Sequence, residues 1–468
     1  TSLGDAFVKP GTPASVSATL LPFETQCTAS GAMNGALPFF TNAQDLPHVM
    51  VGCSCLNASR IIGQYSTSFM VPQVLTSTQS SSFSDTQVFP YVFRACTTDL
   101  LDAKVHAAVV GRLGVRLVTV LYIDSPISAK PKDYFMGLMA DAGTEALAIR
   151  LPDVDYSVAA NAVAARHWLE PLLDTKAWLV VCYFGSYANP YGNGPSVFEA
   201  LRTMQSVFPS VGANGLLNGD VAYLFTSDRH ESRQMNYSKA YAQSLVGSLA
   251  VREIPGNSRY SAFLSWAATV NSPNVPSALL QSVDDWRVQV AFSFDATLFA
   301  IYAADQLLKT TSATSIDRAA LFSTMQNITV RGLFGDLQWD RNLDRTGFVY
   351  DVSQLQRQGS SVVFTSVGMY ESKSETLDLD LNQMLGYSPG GQAFVALDCE
   401  NGQSKPYKFA NPNTCTPCAL GKYSNTNTDF QCYDCAPGEY ADQPGRVKCT
   451  PCPSGRYMAT PGSTERCM

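Results

Sequence analysis

The residues able to do chemistry are few and scattered. The four histidines are His48, His106, His167 and His230. None sits in an HExxH pair, and no two are close enough in sequence to suggest a shared metal. Gly386, Ser388 and Gly390 spell GxSxG. A nucleophile elbow needs a strand before the serine and a helix after it, and Pro389 opens a loop instead. Asp340 and Asp344 in WDRNLD, and Asp378 with Asp380, read as acidic turns. No glycine-rich phosphate loop stands between a strand and a helix. No catalytic set converges, so no enzyme activity, cofactor or metal is expected. What remains is a series of hydroxyls and free amides at predicted strand ends. These are Ser54, Asn57, Ser77, Thr78 and Gln79 early in the chain, then Asp124, Ser125, Tyr183 and Ser186. Hydroxyls and helix-start amides suit a carboxylate or another small anion.

The elements that must position these groups are legible. His48–Gly52 reads as a strand, about Ser54 to Tyr65 as a helix, and Val71–Thr76 as a second strand. Open α/β sheets bind ligands at such strand ends. Val16–Phe23 reads as an earlier strand, followed by a helix near 32–45. Residues 98–114 predict a helix capped by Thr98 and stopped by Gly114. Val115–Asp124 is continuously apolar, as suits a parallel strand covered on both faces. Helices at 130–141, 156–173 and 195–208 then alternate with strands at 146–151, 177–184 and 220–226. That alternation argues βαβ units. A strong helix spans Val288–Leu308, and strands follow at 347–352 and 361–369.

Composition narrows the class of protein. The chain has 468 residues, 46% apolar and 15% charged, with net charge −7 and no basic block. Nucleic-acid binding needs a basic stripe to neutralise phosphates, so it is not expected. No signal peptide opens the sequence, and no apolar run reaches the roughly 18 residues that suggest a membrane span. Of thirteen cysteines, eight fall between Cys399 and Cys467, a bias that points to an oxidising, extracellular setting. Sequons at Asn57, Asn236 and Asn327 agree with it.

The tail carries the most regular pattern. Cys415, Cys418, Cys432, Cys435, Cys449, Cys452 and Cys467 form recurring CxxC pairs, and Gly421-x-Tyr423, Gly438-x-Tyr440 and Gly455-x-Tyr457 repeat at steps of 17. A fixed period means stacked modules, each too small to fold without cross-links. Sequential bridges are expected, 399–415, 418–432, 435–449 and 452–467, with a crossed arrangement through 415–432 as the alternative. Paired CxxC could also hold zinc. The absence of basic or histidine accompaniment and the regular aromatics favour disulfides. Cys182, in mid-strand, reads as an inert buried thiol.

The run VPQV, then SSSFSD, then VFPYVFRA with Thr98 and Asp99, resembles the ligand-binding domain of natriuretic-peptide-type receptors, class C receptors and type 1 periplasmic binding proteins. ITVRGLFGDLQWDRNLDR, at 328–345, is similar to a late signature of the same family. The tail resembles ephrin-receptor-like cysteine-rich repeats. The resemblance implies an α/β two-lobe clamshell, with an irregular segment at 1–16 and a first lobe at 17–114 and 251–345. The second lobe would take 115–250 and 346–395, and the repeats 396–468. Crossings are expected near 114, 250 and 345, with the ligand between the lobes. A first strand and helix that relatives place upstream are missing from the sequence, so an upstream segment or another chain is expected to complete the sheet. The family also implies a Cys27–Cys53 bridge; Cys55 would pair with Cys96, or Cys96 would stay reduced. Gln79 replaces a threonine, and Ser125-Pro126-Ile127 an aromatic-glycine pair, that amino-acid-sensing relatives use, so free amino acid is not expected. The function implied is a ligand-sensing ectodomain for a small molecule or peptide, self-associating through first-lobe helices. The alternative is a structural unit of an extracellular layer or filament.

Overall fold

The structure is a computed structural model that describes residues 19, 21–41, 46–53, 55–154, 160–161, 166–174, 177, 179–183, 222–226, 245–255, 258–267, 284–311, 315–358, 361–381, 383–384, 401–404, 416–424 and 432–464. The expected helix at 195–208 lies outside them.

A small sheet comes first. Residues 21–23 are irregular, so no strand forms over the described part of 16–23. Helix α1 (Ala29–Thr41) carries no charged residue and buries Ala32, Ala36 and Phe40. Strand β1 (Met50–Val51) leads to helix α2 (Leu56–Phe69), which runs past its expected end and stops at Met70, a left-handed cap. Strands β2 (Gln73–Leu75) and β3 (Val92–Arg94) complete a parallel sheet in the order β1-β2-β3. Phe40 of α1 stacks on Tyr65 of α2, with ring centroids 5.0 Å apart.

The first disulfide differs from the expected one. Cys27 pairs with Cys55, across a Cα separation of 5.3 Å, and Cys53 remains a free thiol. Cys55 is the N-cap of α2, which brings it beside the turn before α1. Cys53 is held two residues earlier, where its carbonyl accepts hydrogen bonds from the Ser59 and Thr78 hydroxyls. Cys96 is buried and free, so it does not pair with Cys55.

Helix α3 (Asp99–Arg112) starts at Thr98, whose hydroxyl accepts from the Leu101 N–H. Acidic residues in its first turn and Arg112 in its last suit the helix dipole. Gly114, at φ +64°, ends it. Then come β4 (Leu117–Ile123), α4 (Pro126–Asp141), β5 (Glu145–Leu151), α5 (Arg166–Asp174), β6 (Leu179–Tyr183), β7 (Ala222–Thr226) and β8 (Leu249–Ile254). Helices α6 (Ser258–Ala267), α7 (Asp284–Thr311) and α8 (Arg318–Asn327) precede the short hairpin β9 (Val330–Gly332) and β10 (Gly335–Leu337). A meander follows: β11 (Val349–Gln358), β12 (Ser361–Glu371) and β13 (Thr376–Leu379).

The large sheet has the order β13-β12-β11-β8-β7-β6-β4-β5. Strands β4 to β8 are parallel, and β11 to β13 run antiparallel to their neighbours. Strand β6 is buried along its whole length, as its unbroken apolar run requires. Helix α7 covers the small sheet, with Ala296, Phe299 and Ala303 in one cluster with Val74 and Phe93.

Among the described residues, the chain passes between the two sheets three times. The last two passages come after β8, which ends at Ile254, and before β11, which starts at Val349. The first comes at Thr97–Thr98 rather than near 114, because Val105, Val109 and Val110 of α3 pack into the core of the large sheet with Val118 and Val120. These three passages meet. Ile254 pairs with Val349, and Glu253 with Tyr350, where β8 and β11 begin to separate.

Candidate functional site

Each sheet brings its strand ends to these passages. In the small sheet, the Thr78 hydroxyl lies 2.7 Å from that of Ser59 and donates to the Cys53 carbonyl. Thr78 therefore braces the loop after β1. The Ser77 hydroxyl is buried without a hydrogen-bond partner. Gln79 donates from Nε2 to the Thr97 hydroxyl at 2.8 Å, and Thr97 donates to Glu253 of β8 at 3.4 Å. The Gln79 carbonyl accepts from Arg94 at 2.7 Å and from the Asp99 N–H at 3.0 Å. Asn57 is exposed on the first turn of α2. Ser54 and Ser186 lie outside the described residues.

In the large sheet, Asp124 forms an ion pair with Arg150 at 2.7 Å, with both side chains about half exposed. Ser125 is buried and caps α4, accepting from the Ser128 N–H. Tyr183 is buried, its hydroxyl 3.1 Å from His106 Nδ1. Of the residues expected from sequence, the structure thus joins Ser77, Thr78 and Gln79 at one edge. It leaves Asp124 on an ion pair of its own and turns Tyr183 into the interior.

Several residues at the junction were not singled out from the sequence. Tyr350 donates to Asp102 at 2.6 Å, and the Thr226 hydroxyl lies 3.4 Å from His106 Nε2. Thr226 also bonds Asp102, so polar contacts run without a break from Gln79 to Tyr183 through two sheets and α3. Little in the sequence marked Glu253, which follows Arg252 at the less buried end of LAVREI, where charged residues are ordinary. Burial lifts the Asp99 carboxyl to about 6, against the opposing pull of Arg94. Asp102 is pushed well above the carboxylate range by burial first and then by the Glu253 charge. Burial holds His106 neutral, down to about 3. Nearby, Arg94 pairs with Asp344 at 3.0 Å, and Arg345 with Asp295 at 3.0 Å, the latter fully buried on both sides.

Chemically, the junction offers hydroxyls, an amide and carboxyls, groups that recognise a ligand by hydrogen bonds. Among the described residues, no group of three or more His, Cys, Asp or Glu is placed to hold a metal ion. No described helix is long and apolar enough to cross a membrane.

The tail is a ladder of two-stranded rungs. Strands β14 (Gln403–Ser404) and β15 (Thr416–Pro417) form one, β16 (Lys422–Tyr423) and β17 (Tyr433–Asp434) the next, and β18 (Glu439–Tyr440) and β19 (Thr450–Pro451) a third. Disulfides join Cys418 to Cys432 and Cys435 to Cys449, the sequential pattern. Cys452 is also disulfide-bonded. Cys399, Cys415 and Cys467 lie outside the described residues. Each rung opens on a glycine at positive φ, and its N–H donates to the following rung: Gly402 to Ser424, Gly421 to Ala441, Gly438 to Met458. The rung at Gly402 escapes the sequence pattern because Ser404 stands where the others have tyrosine.

Comparison with known families agrees with this architecture. Residues 10–358 match the receptor family ligand binding region, and residues 421–467 match the family described as tyrosine-protein kinase ephrin type A/B receptor-like. No curated protein matches the chain. The first match takes in most of the chain: the small sheet, the large sheet apart from β12 and β13, and the junction between them. The chain therefore belongs to the receptor family ligand binding region, in an extracellular, receptor-type arrangement that continues into a disulfide-bonded ephrin-receptor-like ladder.

Proposed function

We propose that this chain is the ligand-sensing ectodomain of a cell-surface receptor, closing two lobes on a small molecule or peptide. One lobe holds the small sheet with α1, α2, α7 and α8. The other holds the large sheet with α3, α4 and α5. The observation that carries the reading is the Gln79–Thr97–Glu253 relay, which ties the strand ends of both sheets together beside three chain passages. Multiple passages resist twisting but permit closure. A ligand at this edge would meet the Ser77 hydroxyl and the exposed Asn57. The ladder serves as a stalk, since a cross-linked rod transmits a displacement that a flexible linker absorbs. Exposed Asn327, and Asn57 where no ligand covers it, fit N-glycosylation in this setting.

A thermal-shift screen of metabolites and short peptides tests this reading. A ligand that binds only the folded state must raise its stability, by about 2.7 kcal/mol at a hundredfold excess over Kd. We expect a hit whose shift falls on Ser77→Ala. Silence across a broad screen would favour the structural building-block reading instead.

A further inference from the structure

The large sheet ends in two strands of opposite character. At one edge, β13 is four residues long and carries Asp378, with Glu375 and Asp380 on either side. A short, charged edge strand resists pairing with another chain. At the other edge, β5 is seven residues long and reads Ala-Leu-Ala-Ile between Glu145 and Arg150. Leu147 is 39% exposed, and Ala148 is exposed beside it. The ion pair with Asp124 draws Arg150 toward the end of β4, away from the outer edge. We propose that the outer edge of β5 pairs with β5 of a second copy of this chain, antiparallel, about a twofold axis at Ala148.

The backbone sets the register. The Glu145 N–H donates to the Arg116 carbonyl, and the Leu151 carbonyl accepts from the Asp124 N–H. Residues 145, 147, 149 and 151 therefore turn their peptide groups toward β4. By the alternation of a strand, Ala146, Ala148 and Arg150 turn theirs outward, where no described strand meets them. An antiparallel hydrogen-bonded pair joins residues whose peptide groups face each other. Centred on Ala148, the pairing sets Ala148 opposite its own copy, and Ala146 opposite Arg150 of the second copy. A twofold at Leu147 would instead align groups already bonded to β4.

The side chains suit that register. On one face of the sheet, Leu147 falls opposite Ile149 of the second copy, so the exposed leucine gains an apolar neighbour. Glu145 falls opposite Leu151 of the second copy, and Arg150 opposite Ala146. Neither charge meets a like charge, which directly opposed would destabilise the pair. The contact is a single strand pair, below the roughly 1,200–2,000 Å² that stable complexes bury, so it forms a weak, reversible dimer. It does not depend on the ligand reading.

Cross-linking of the full chain reads the register. A hydrogen-bonded antiparallel pair sets its Cα atoms about 5.5 Å apart, within reach of a disulfide. Ala148→Cys should therefore give a disulfide-linked dimer on oxidation with copper phenanthroline. Glu145→Cys, on the same exposed strand, should not, because its two copies would lie about 20 Å apart. Sedimentation at submillimolar concentration reads the affinity, in a chain that also carries Leu37→Glu to remove contacts through α1. A reversible dimer should form. Ala148→Lys, which sets a cation against its own copy, should weaken it about tenfold or more. Ala148 and Glu145 are exposed, so these changes leave the core intact. Equal cross-linking at 145 and 148, a monomer throughout that range, or a dimer indifferent to Ala148→Lys would overturn the pairing.

Discussion

Arg345 shows how a single side chain can hold a lobe together. It is fully buried, and it donates to Asp295, to the Ala95 carbonyl at 3.2 Å and to the Gly335 carbonyl at 3.0 Å. Asp295 in turn accepts from the Leu333 N–H at 2.7 Å. One ion pair therefore pins α7, the exit of β3 and the β9–β10 hairpin. Removing one partner strands the other charge away from water. Asp295→Ala should cost about 3–5 kcal/mol, read from the urea midpoint. Replacing both partners by apolar residues, Asp295→Leu with Arg345→Met, should cost less than the single change, because no uncompensated charge remains. Equal losses would show that packing, not charge, dominates there.

At the scale of elements, the ladder depends on close backbone approach rather than on a core. A side chain at Gly421 would put its Cβ 2.1 Å from the Gly462 carbonyl oxygen, and at Gly402 equally close to that of Gly445. Both glycines also sit at positive φ, at +77° and +89°. Gly421→Ala should therefore pry rungs apart with the disulfides intact. Non-reducing limited proteolysis should cut within 421–464 faster by about tenfold or more, since cleavage tracks the population of the open form. Urea unfolding of the two sheets should not change, because the large core lies elsewhere. An unchanged cleavage rate would mean that the disulfides alone fix the rungs.

At the scale of the whole molecule, the small sheet presents an outer surface poor in charge. α1 exposes Met33 and Leu37, and the end of α2 exposes Phe69 and Met70, with Arg60 the only charged residue on either helix. Surfaces depleted in charge desolvate readily on association. We expect a dimer in sedimentation at micromolar concentration, and a monomer after Leu37→Glu. A monomeric parent chain would remove self-association from the functional reading, without touching the lobes themselves.

The sequence alone determined what depends on local pattern. Continuous apolar runs foretold β4 and β6, because strands covered on both faces have no solvent side to mark. Thr98 and Gly114 foretold the ends of α3, because caps satisfy backbone groups within a few residues. The period of 17 foretold the ladder, because every rung must repeat the same turn. Of the site, Gln79 was legible at a strand end, while its partners were not. Only tertiary structure decided that α3 belongs with the large sheet, since its apolar face could have packed on either. It also chose Cys55 over Cys53 for Cys27, a matter of which backbone the Ser59 and Thr78 hydroxyls hold. It brought Asp99, Asp102 and Glu253 together from opposite ends of the domain. Burial first and then the Glu253 charge shift Asp102, and both act only between groups that sequence separates and folding makes neighbours.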